Sequence, residues 1–170
     1  MKKIIYLVIA LLFITKVEAQ KNKNGVIYDK HPGLELVKEF NTAFINGDTE
    51  KIKTLVTEDF KLWNSMSTDK NQKGVGVQGL LGRANYWSNK LKGFSIEPRG
   101  KAYPDAFEFK GGQIWIYTYE VLKGIDKENG FKIETPIDRS YLLNKKGDKI
   151  AWLMESFNTS QLDKYNNSFS

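Results

Sequence analysis

The chain has 170 residues, a formal net charge of +6, a single histidine and no cysteine. Without cysteine it cannot form disulfides, thiol nucleophiles or thiolate metal sites, and one histidine leaves a multi-histidine metal site or a histidine-based triad incomplete. The lysines are interspersed with acids instead of forming one basic block, which argues against a nucleic-acid-binding surface.

Residues 1–19 have the three parts of a secretory signal peptide. Lys2 and Lys3 form the basic start, residues 4–14 are apolar, and Ala19 ends a small-residue cleavage motif. The apolar run of about 11 residues is too short to span a bilayer, which takes about 20. We therefore expect a mature chain that begins near Gln20, is exported to the periplasm or beyond, and keeps no membrane attachment.

A polar lead-in over residues 20–31 precedes two predicted helices. The first begins near Pro32, which suits an early helical position, and ends at Asn46-Gly47. The second is short and follows a capping residue, Asp48 or Thr49. The apolar residues that define the two helical faces are Leu36, Val37, Phe40, Ala43 and Phe44, and then Ile52, Leu55 and Val56.

The period of the apolar residues then changes from 3.6 to 2 residues over residues 60–65, which predicts a strand. A polar loop leads to GVGVQG at 74–79, which resembles a dinucleotide fingerprint but lacks the preceding buried strand. We interpret it as the entrance to a third helix. That helix presents one apolar face, formed by Val77, Leu80, Leu81, Ala84, Trp87 and Leu91.

Beyond Gly93 the sequence is typical of strands separated by turns. Gly-containing turns at 111–112, 129–130 and 146–148 separate alternating runs and predict hairpins. The predicted strands cover residues 94–103, 106–109, 114–122, 131–144 and 150–157. Helices followed by successive hairpins indicate an α+β fold, with three N-terminal helices packed on a curved antiparallel sheet.

Two phrases, FINGDTEKIKTLVTEDFKLW at 44–63 and KKGDKIAWLMESFN at 145–158, resemble the nuclear transport factor 2-like superfamily. The resemblance is to bacterial SnoaL-like and ketosteroid isomerase-like members and covers a domain at 32–158, followed by a polar tail at 159–170. It implies a cone: a bent sheet around the first and third helices, with a pocket at one end. Members of this superfamily include isomerases, dehydratases, polyketide cyclases, epoxide hydrolases and proteins without catalytic activity, so fold alone does not give function.

Aromatic residues are the first candidates for lining such a pocket, because they suit both cores and ligand walls. Trp115 and Tyr119 share one strand face with Tyr117, so this row either lines the pocket or forms a dimer interface on the outer face of the sheet. Tyr86 and Tyr103 are candidate hydrogen-bond donors. The predicted ligand-binding residues are Trp63, Tyr86, Trp87, Tyr103, Trp115, Tyr119 and Trp152.

Carboxylates within strands are the candidates for acid–base chemistry, because an apolar cavity raises the pKa of a carboxyl group towards neutrality. Three acids meet this description: Glu120, Asp138 and Glu155. Asp138 and Arg139 are adjacent and must point to opposite faces of their strand, so one of them should lie outside. The predicted catalytic residue is Asp138 or Glu155.

Three functions remain open from the sequence. The first is an exported protein that binds a small apolar or aromatic molecule, without a metal or cofactor. The second is an enzyme of the SnoaL or ketosteroid isomerase type that moves a proton within a ring compound. The third is an interaction module whose sheet face forms a homodimer around a cone filled by its own side chains.

Overall fold

The computed structural model describes residues 23–69, 71–101, 103–157 and 159–169, so the predicted signal peptide lies outside the described residues. Within these ranges no helix is long and apolar enough to cross a membrane. The described residues form four helices: α1 (Pro32–Asn46), α2 (Thr49–Leu55), α3 (Val77–Lys90) and α4 (Thr159–Asn167). They also form seven strands: β1 (Gly25–Tyr28), β2 (Val56–Asn64), β3 (Leu91–Pro98), β4 (Asp105–Phe109), β5 (Ile114–Asp126), β6 (Lys132–Leu143) and β7 (Ile150–Phe157).

The two N-terminal helices are confirmed, and their ends follow from local chemistry. His31 caps α1, its Nδ1 accepting a hydrogen bond from the Gly33 N–H at 2.9 Å. Gly47 ends α1 with a left-handed φ of 66°, a conformation that glycine adopts without steric cost. Asp48 then caps α2 by accepting a hydrogen bond from the Lys51 N–H at 2.9 Å.

The sheet is mixed, with the strand order β1-β4-β5-β6-β7-β2. The predicted hairpins are confirmed for β4 to β7, which are sequential antiparallel neighbours. The long strand β5 pairs with β4 through its first residues and with β3 through residues 120–126. One pair differs from the predicted antiparallel sheet: the edge strand β2 pairs in parallel with β7.

The helices α1 and α3 pack against one face of this sheet, called the inner face here. The opposite, outer face carries no helix among the described residues. The core joins Val37 and Phe40 of α1 to Leu80 of α3 and to Ile116 and Tyr141 of the sheet, all at most 2% exposed. The α+β arrangement predicted from the sequence is therefore observed.

Two segments that the sequence indicated to be polar and irregular contain a strand or a helix. The polar lead-in contains β1, which adds an edge strand next to β4. The segment interpreted as a polar tail contains α4, whose Tyr165 is only 2% exposed. The Tyr165 ring packs between Trp87 and Phe131 and attaches the helix to the domain.

Candidate ligand-binding site

A cavity of about 850 Å³ lies between α1, the C-terminal end of β3 and the middle of β5. Its polar lining includes Asn41 from α1 together with Thr118 and Glu120 from β5. Ligand pockets in proteins typically have volumes of about 300–1,000 Å³, apolar walls and a few convergent polar groups. The apolar walls here come from Ile27, Leu34, Val37, Ile45, Ile96 and Pro98.

A buried ion pair forms the centre of the polar lining. Glu120 Oε2 accepts hydrogen bonds from Arg139 Nε at 2.9 Å and Nη2 at 2.6 Å, and from Thr118 Oγ1 at 2.8 Å. Glu120 Oε1 accepts one from Asn41 Nδ2 at 2.9 Å, and Asn41 Oδ1 accepts one from the Tyr141 hydroxyl at 3.1 Å. Arg139 is 2% exposed and Glu120 8%, so both charges depend on this network for their solvation.

Strand alternation and register bring these residues together. Thr118 and Glu120 lie on the inner face of β5, while Arg139 and Tyr141 lie on the inner face of β6. Thr118 is paired with Arg139 across the two strands, which places Glu120 diagonally within reach of the guanidinium. Asn41 completes the network from α1, which packs on the inner face of the sheet.

Electrostatics keep two members of the network in fixed protonation states. Burial would lower the pKa of Arg139, but the polar and acidic groups around it, with Tyr141, Glu120 and Glu155 foremost, raise it overall. Burial raises the pKa of Tyr141 well above its ordinary value, and the neighbouring carboxylates add to this effect. Tyr141 is therefore a neutral hydrogen-bond donor at physiological pH, and Arg139 a permanent cation.

A second, smaller cavity of about 40 Å³ lies on the other side of the ion pair. Arg139 lines this cavity, whereas Glu120 lines the large one, and Ile96 borders both. Glu155, 4% exposed, also lines it and accepts a hydrogen bond from Arg83 Nη2 at 2.8 Å. The volume is enough for one or two water molecules, not for an organic ligand.

Four of the sequence-predicted site residues border one of these cavities. Glu155 and Trp87 line the small cavity. Tyr103 and Tyr119 border the large one, but Tyr103 is 82% exposed, and Tyr119 has the phase of Trp115 on β5 and is paired with Asp138, so its side chain lies on the outer face. The structure therefore brings together one predicted acid and three predicted aromatic residues near the two cavities.

Three other predicted site residues lie on the outer face, which corrects their expected position in the pocket. Asp138 pairs there with Arg99 at 2.9 Å, and about half of each side chain is exposed. Trp152 is 44% exposed, and Trp115 stacks on Tyr117 with a centroid distance of 6.3 Å. The reason is strand parity: Trp115 is one position out of phase with Ile116, as is Asp138 with Arg139.

Trp63 and Tyr86 line neither cavity. The Trp63 ring packs against Gly74, where an added Cβ would lie only 2.9 Å from a ring carbon. Its buried indole N–H has no hydrogen-bond partner among the described residues. Tyr86 is half exposed and contacts Trp87 edge-on, with a centroid distance of 5.0 Å.

Sequence reasoning missed Asn41 and Arg139 as members of the site. The signal for Arg139 was present, because Ile133, Ile137 and Tyr141 share its phase on β6 and all are buried. No sequence pattern distinguished Asn41 from other polar residues of α1. Within the described residues, no group of three or more histidine, cysteine, aspartate or glutamate side chains could hold a metal ion.

Solved structures share this architecture at low sequence identity. The BvnE pinacolase from Penicillium brevicompactum matches with a TM-score of 0.65 and 10% identity, over 81% of this chain and 90% of that one. A SnoaL-like protein from Shewanella denitrificans has a TM-score of 0.58 and 10% identity, over 81% and 99% of the two chains. An LEH-like epoxide hydrolase from Mycobacterium tuberculosis has a TM-score of 0.55 and 13% identity, over 78% and 86%.

The chain has the nuclear transport factor 2-like fold. No protein family model and no curated protein sequence matches it. At 10–13% identity the likeness establishes the cone-shaped fold alone, so the function has to be argued from the cavity of this cone.

Proposed function

We propose that the protein binds a small molecule in the large cavity of its cone, with the apolar part of the ligand against the walls and a polar group at Asn41 and Glu120. The observation that carries this proposal is a cavity of about 850 Å³ in which apolar walls meet a buried polar cluster. Its volume and lining match those of pockets that enclose organic ligands.

The buried ion pair supports a binding role rather than a purely structural one. Removing two charges from water costs several kcal/mol per ion, and well-packed hydrophobic residues often stabilise a core as well or better. Glu120 and Arg139 nevertheless lie at a cavity wall instead of inside the close-packed core. A polar cluster in this position serves to orient a ligand.

Binding is tested with the fluorescent apolar dye N-phenyl-1-naphthylamine and a matched pair of variants. Asn41→Leu removes a polar group from the cavity, whereas Asn85→Leu makes the same change on the exposed surface of α3. We expect the wild type and Asn85→Leu to bind the dye equally and Asn41→Leu to bind about tenfold more weakly. Equal binding by all three proteins, or none by the wild type, would contradict the proposal.

A second pair of variants covers the case in which Asn41→Leu unfolds the protein. Ile45→Trp narrows the large cavity, and Ile125→Trp makes the same change at an isoleucine that is 43% exposed. We expect altered dye affinity in Ile45→Trp alone, with both variants folded by circular dichroism. Unchanged affinity in a folded Ile45→Trp would contradict dye binding beside Ile45.

We further propose that the protein acts outside the cytoplasm, because the sequence begins with the features of a signal peptide. Expression in a bacterial host followed by N-terminal sequencing of the periplasmic fraction tests this. A mature chain that starts near Gln20 is the expected result, and an intact Met1 in the cytoplasmic fraction would contradict it.

An enzymatic role is the second candidate, and Glu155 carries it. This acid is buried at the small cavity, beside Arg83 and with room for a water molecule. The test first identifies any co-purified ligand by native mass spectrometry and then incubates it with the protein in D₂O. Deuterium incorporation that is lost in Glu155→Gln is expected of an enzyme, and no incorporation by the wild type would exclude this proton transfer.

The outer face is a candidate homodimer interface. Trp152 is exposed there, and the partly buried Trp115 and Tyr117 form an aromatic row that no described helix covers. We expect sedimentation to show a dimer that Trp152→Lys converts to a monomer. A wild-type protein that stays monomeric at millimolar concentration would contradict an interface on this face.

A further inference from the structure

The charge of the large cavity is opposite to that of the whole chain. The chain carries a net +6, yet its charged cavity-lining residues are four acids and one lysine. Lys38 approaches Glu35 at 3.8 Å, and Glu120 is paired with Arg139, which leaves two acids at the rim without an ion pair among the described residues. These two are Asp29 and Asp105.

The two rim acids lie at the same end of one strand pair. Tyr28 at the end of β1 is paired with Ala106 of β4, and Asp29 and Asp105 are the next residues along these two antiparallel strands. Neighbouring like charges repel each other and raise the local concentration of cations at the mouth of a cleft. A ligand with a carboxylate group would be repelled by these two acids as it enters the cavity.

The unused hydrogen-bonding positions inside the cavity also favour a ligand that donates hydrogen bonds over a carboxylate. Oε2 of the buried Glu120 already accepts three hydrogen bonds, whereas Oε1 accepts one, from Asn41. A carboxylate oxygen has two lone-pair positions, so Oε1 keeps one for a ligand, and so does Asn41 Oδ1. On the donor side, Asn41 Nδ2 retains one N–H. The unused capacity is therefore mainly that of acceptors.

We infer that the large cavity selects an apolar amine: its ammonium group donates hydrogen bonds to Glu120 Oε1 and Asn41 Oδ1, and its hydrocarbon part contacts the apolar walls. This inference rests on the proposed binding function and names the chemical class of its ligand. Arg139 repels an ammonium group at Glu120 Oε1, but the Glu120 carboxylate, which lines the large cavity, attracts it at shorter range than the guanidinium, which lines the small one.

The test uses three ligands that share a ten-carbon chain and differ in their head group: decylamine, decanol and decanoate. Each displaces N-phenyl-1-naphthylamine from the wild-type protein at pH 7, below its micellar concentration. We expect decylamine to compete at a concentration at least tenfold lower than decanoate, with decanol between them. Decanoate competing as well as decylamine would overturn the inference while leaving the cavity as a binding site.

Failure of the underlying function gives a different result. In that case the dye does not bind to the wild-type protein. Dye that binds but is not displaced by decylamine would overturn the inference alone. Displacement by all three in the expected order supports both the function and the ligand class.

A pair of isosteric variants locates the charge preference at the rim. Asp105→Asn removes one of the acids that line the mouth, and Asp59→Asn removes an exposed charge on β2, outside the cavity lining. We expect Asp105→Asn to weaken decylamine about threefold at low salt and to leave decanol unchanged. An equal loss for both compounds, or an equal loss in Asp59→Asn, would contradict a role of the rim charge.

Discussion

Two buried carboxylates on β5 lie in contrasting surroundings. Glu120 faces the large cavity and meets Arg139, Thr118 and Asn41. Asp126, 1% exposed, lies at the far end of the same strand, where α4 covers it. The hydroxyl of Tyr165 donates to its Oδ2 at 2.7 Å.

The Asp126 cluster is satisfied entirely by the protein. Its Oδ1 accepts hydrogen bonds from the N–H groups of Glu128 at 2.8 Å and Asn129 at 3.0 Å, and Lys90 lies 3.6 Å from Oδ2. Burial alone would raise the pKa of Asp126, but these contacts and the Tyr165 hydroxyl outweigh it and lower the pKa to about 2. A strongly perturbed acid is thus a structural one here.

The comparison shows that burial and electrostatic perturbation do not identify a functional acid by themselves. Neither cavity reaches Asp126, which accepts three hydrogen bonds and forms an ion pair with Lys90. Glu120 keeps an acceptor position beside a cavity. The end of the cone at Glu120 therefore supports binding, whereas the end at Asp126 supports stability.

The largest effect is expected from Arg139→Met, which leaves Glu120 buried without its counter-charge. We expect the free energy of unfolding to fall by about 3–5 kcal/mol in urea titrations. As a control, Arg99→Met breaks the half-exposed pair with Asp138 and should cost less than about 1 kcal/mol.

The double variant Glu120→Gln/Arg139→Met sharpens this prediction. Because it removes both charges, it should recover part of the stability lost in Arg139→Met. Additive losses from the two substitutions would mean that the charges do not depend on each other, which contradicts the network described for the cavity.

At the other end of the cone, Tyr165→Phe removes the hydroxyl that binds Asp126 while keeping the ring contacts with Trp87 and Phe131. We expect the melting temperature to fall by roughly 3–8 °C, because a charge-assisted hydrogen bond is lost from a buried acid. Affinity for N-phenyl-1-naphthylamine should stay the same. A marked loss of dye affinity would show that the two ends are coupled and would break the distinction between them.

The low pKa of Asp126 predicts a loss of stability in acid. The folded-state pKa, about 2, lies below the ordinary value of 3.8, so the folded state favours the ionised form. This contribution is fully present above about pH 4 and is lost as the pH falls towards 2. Urea midpoints at pH 5 and pH 2.5 should therefore differ more in the wild type than in Asp126→Asn. The same pH dependence in both proteins would contradict the assignment.

The smallest effect is expected from Asp138→Asn on the outer face. Its pair with Arg99 is half exposed, so the substitution should change the free energy of unfolding by less than about 1 kcal/mol. Dye binding should not change, because Asp138 lines neither cavity. Weaker dye binding in this variant would show that Asp138 contributes to the binding site, which contradicts its position on the outer face.

The sequence predicted much of the fold because its signals were local. Helical periodicity ending at Gly47 and alternating runs between glycine turns defined α1 and the hairpins of β4 to β7. The parallel pairing of β2 and the docking of α4 through Tyr165 depend on distant contacts, which periodicity does not report.

The site was less predictable for the same reason. Alternation showed that Asp138 and Arg139 point to opposite faces, but not which of them points inwards. Trp115 and Trp152 were predicted to line the pocket because they are large and aromatic, but both lie on the outer face of the sheet. Asn41 acquires its role only when α1 is placed over β5.

The most direct test maps N-phenyl-1-naphthylamine binding by NMR on uniformly ¹⁵N-labelled protein. If the cavity end binds ligands, the largest amide shift changes should occur around Asn41 in α1 and around Thr118 in β5, with the amides near Asp126 and Tyr165 unchanged. Changes concentrated at Tyr165 and α4, or on the outer face around Trp152, would contradict the account.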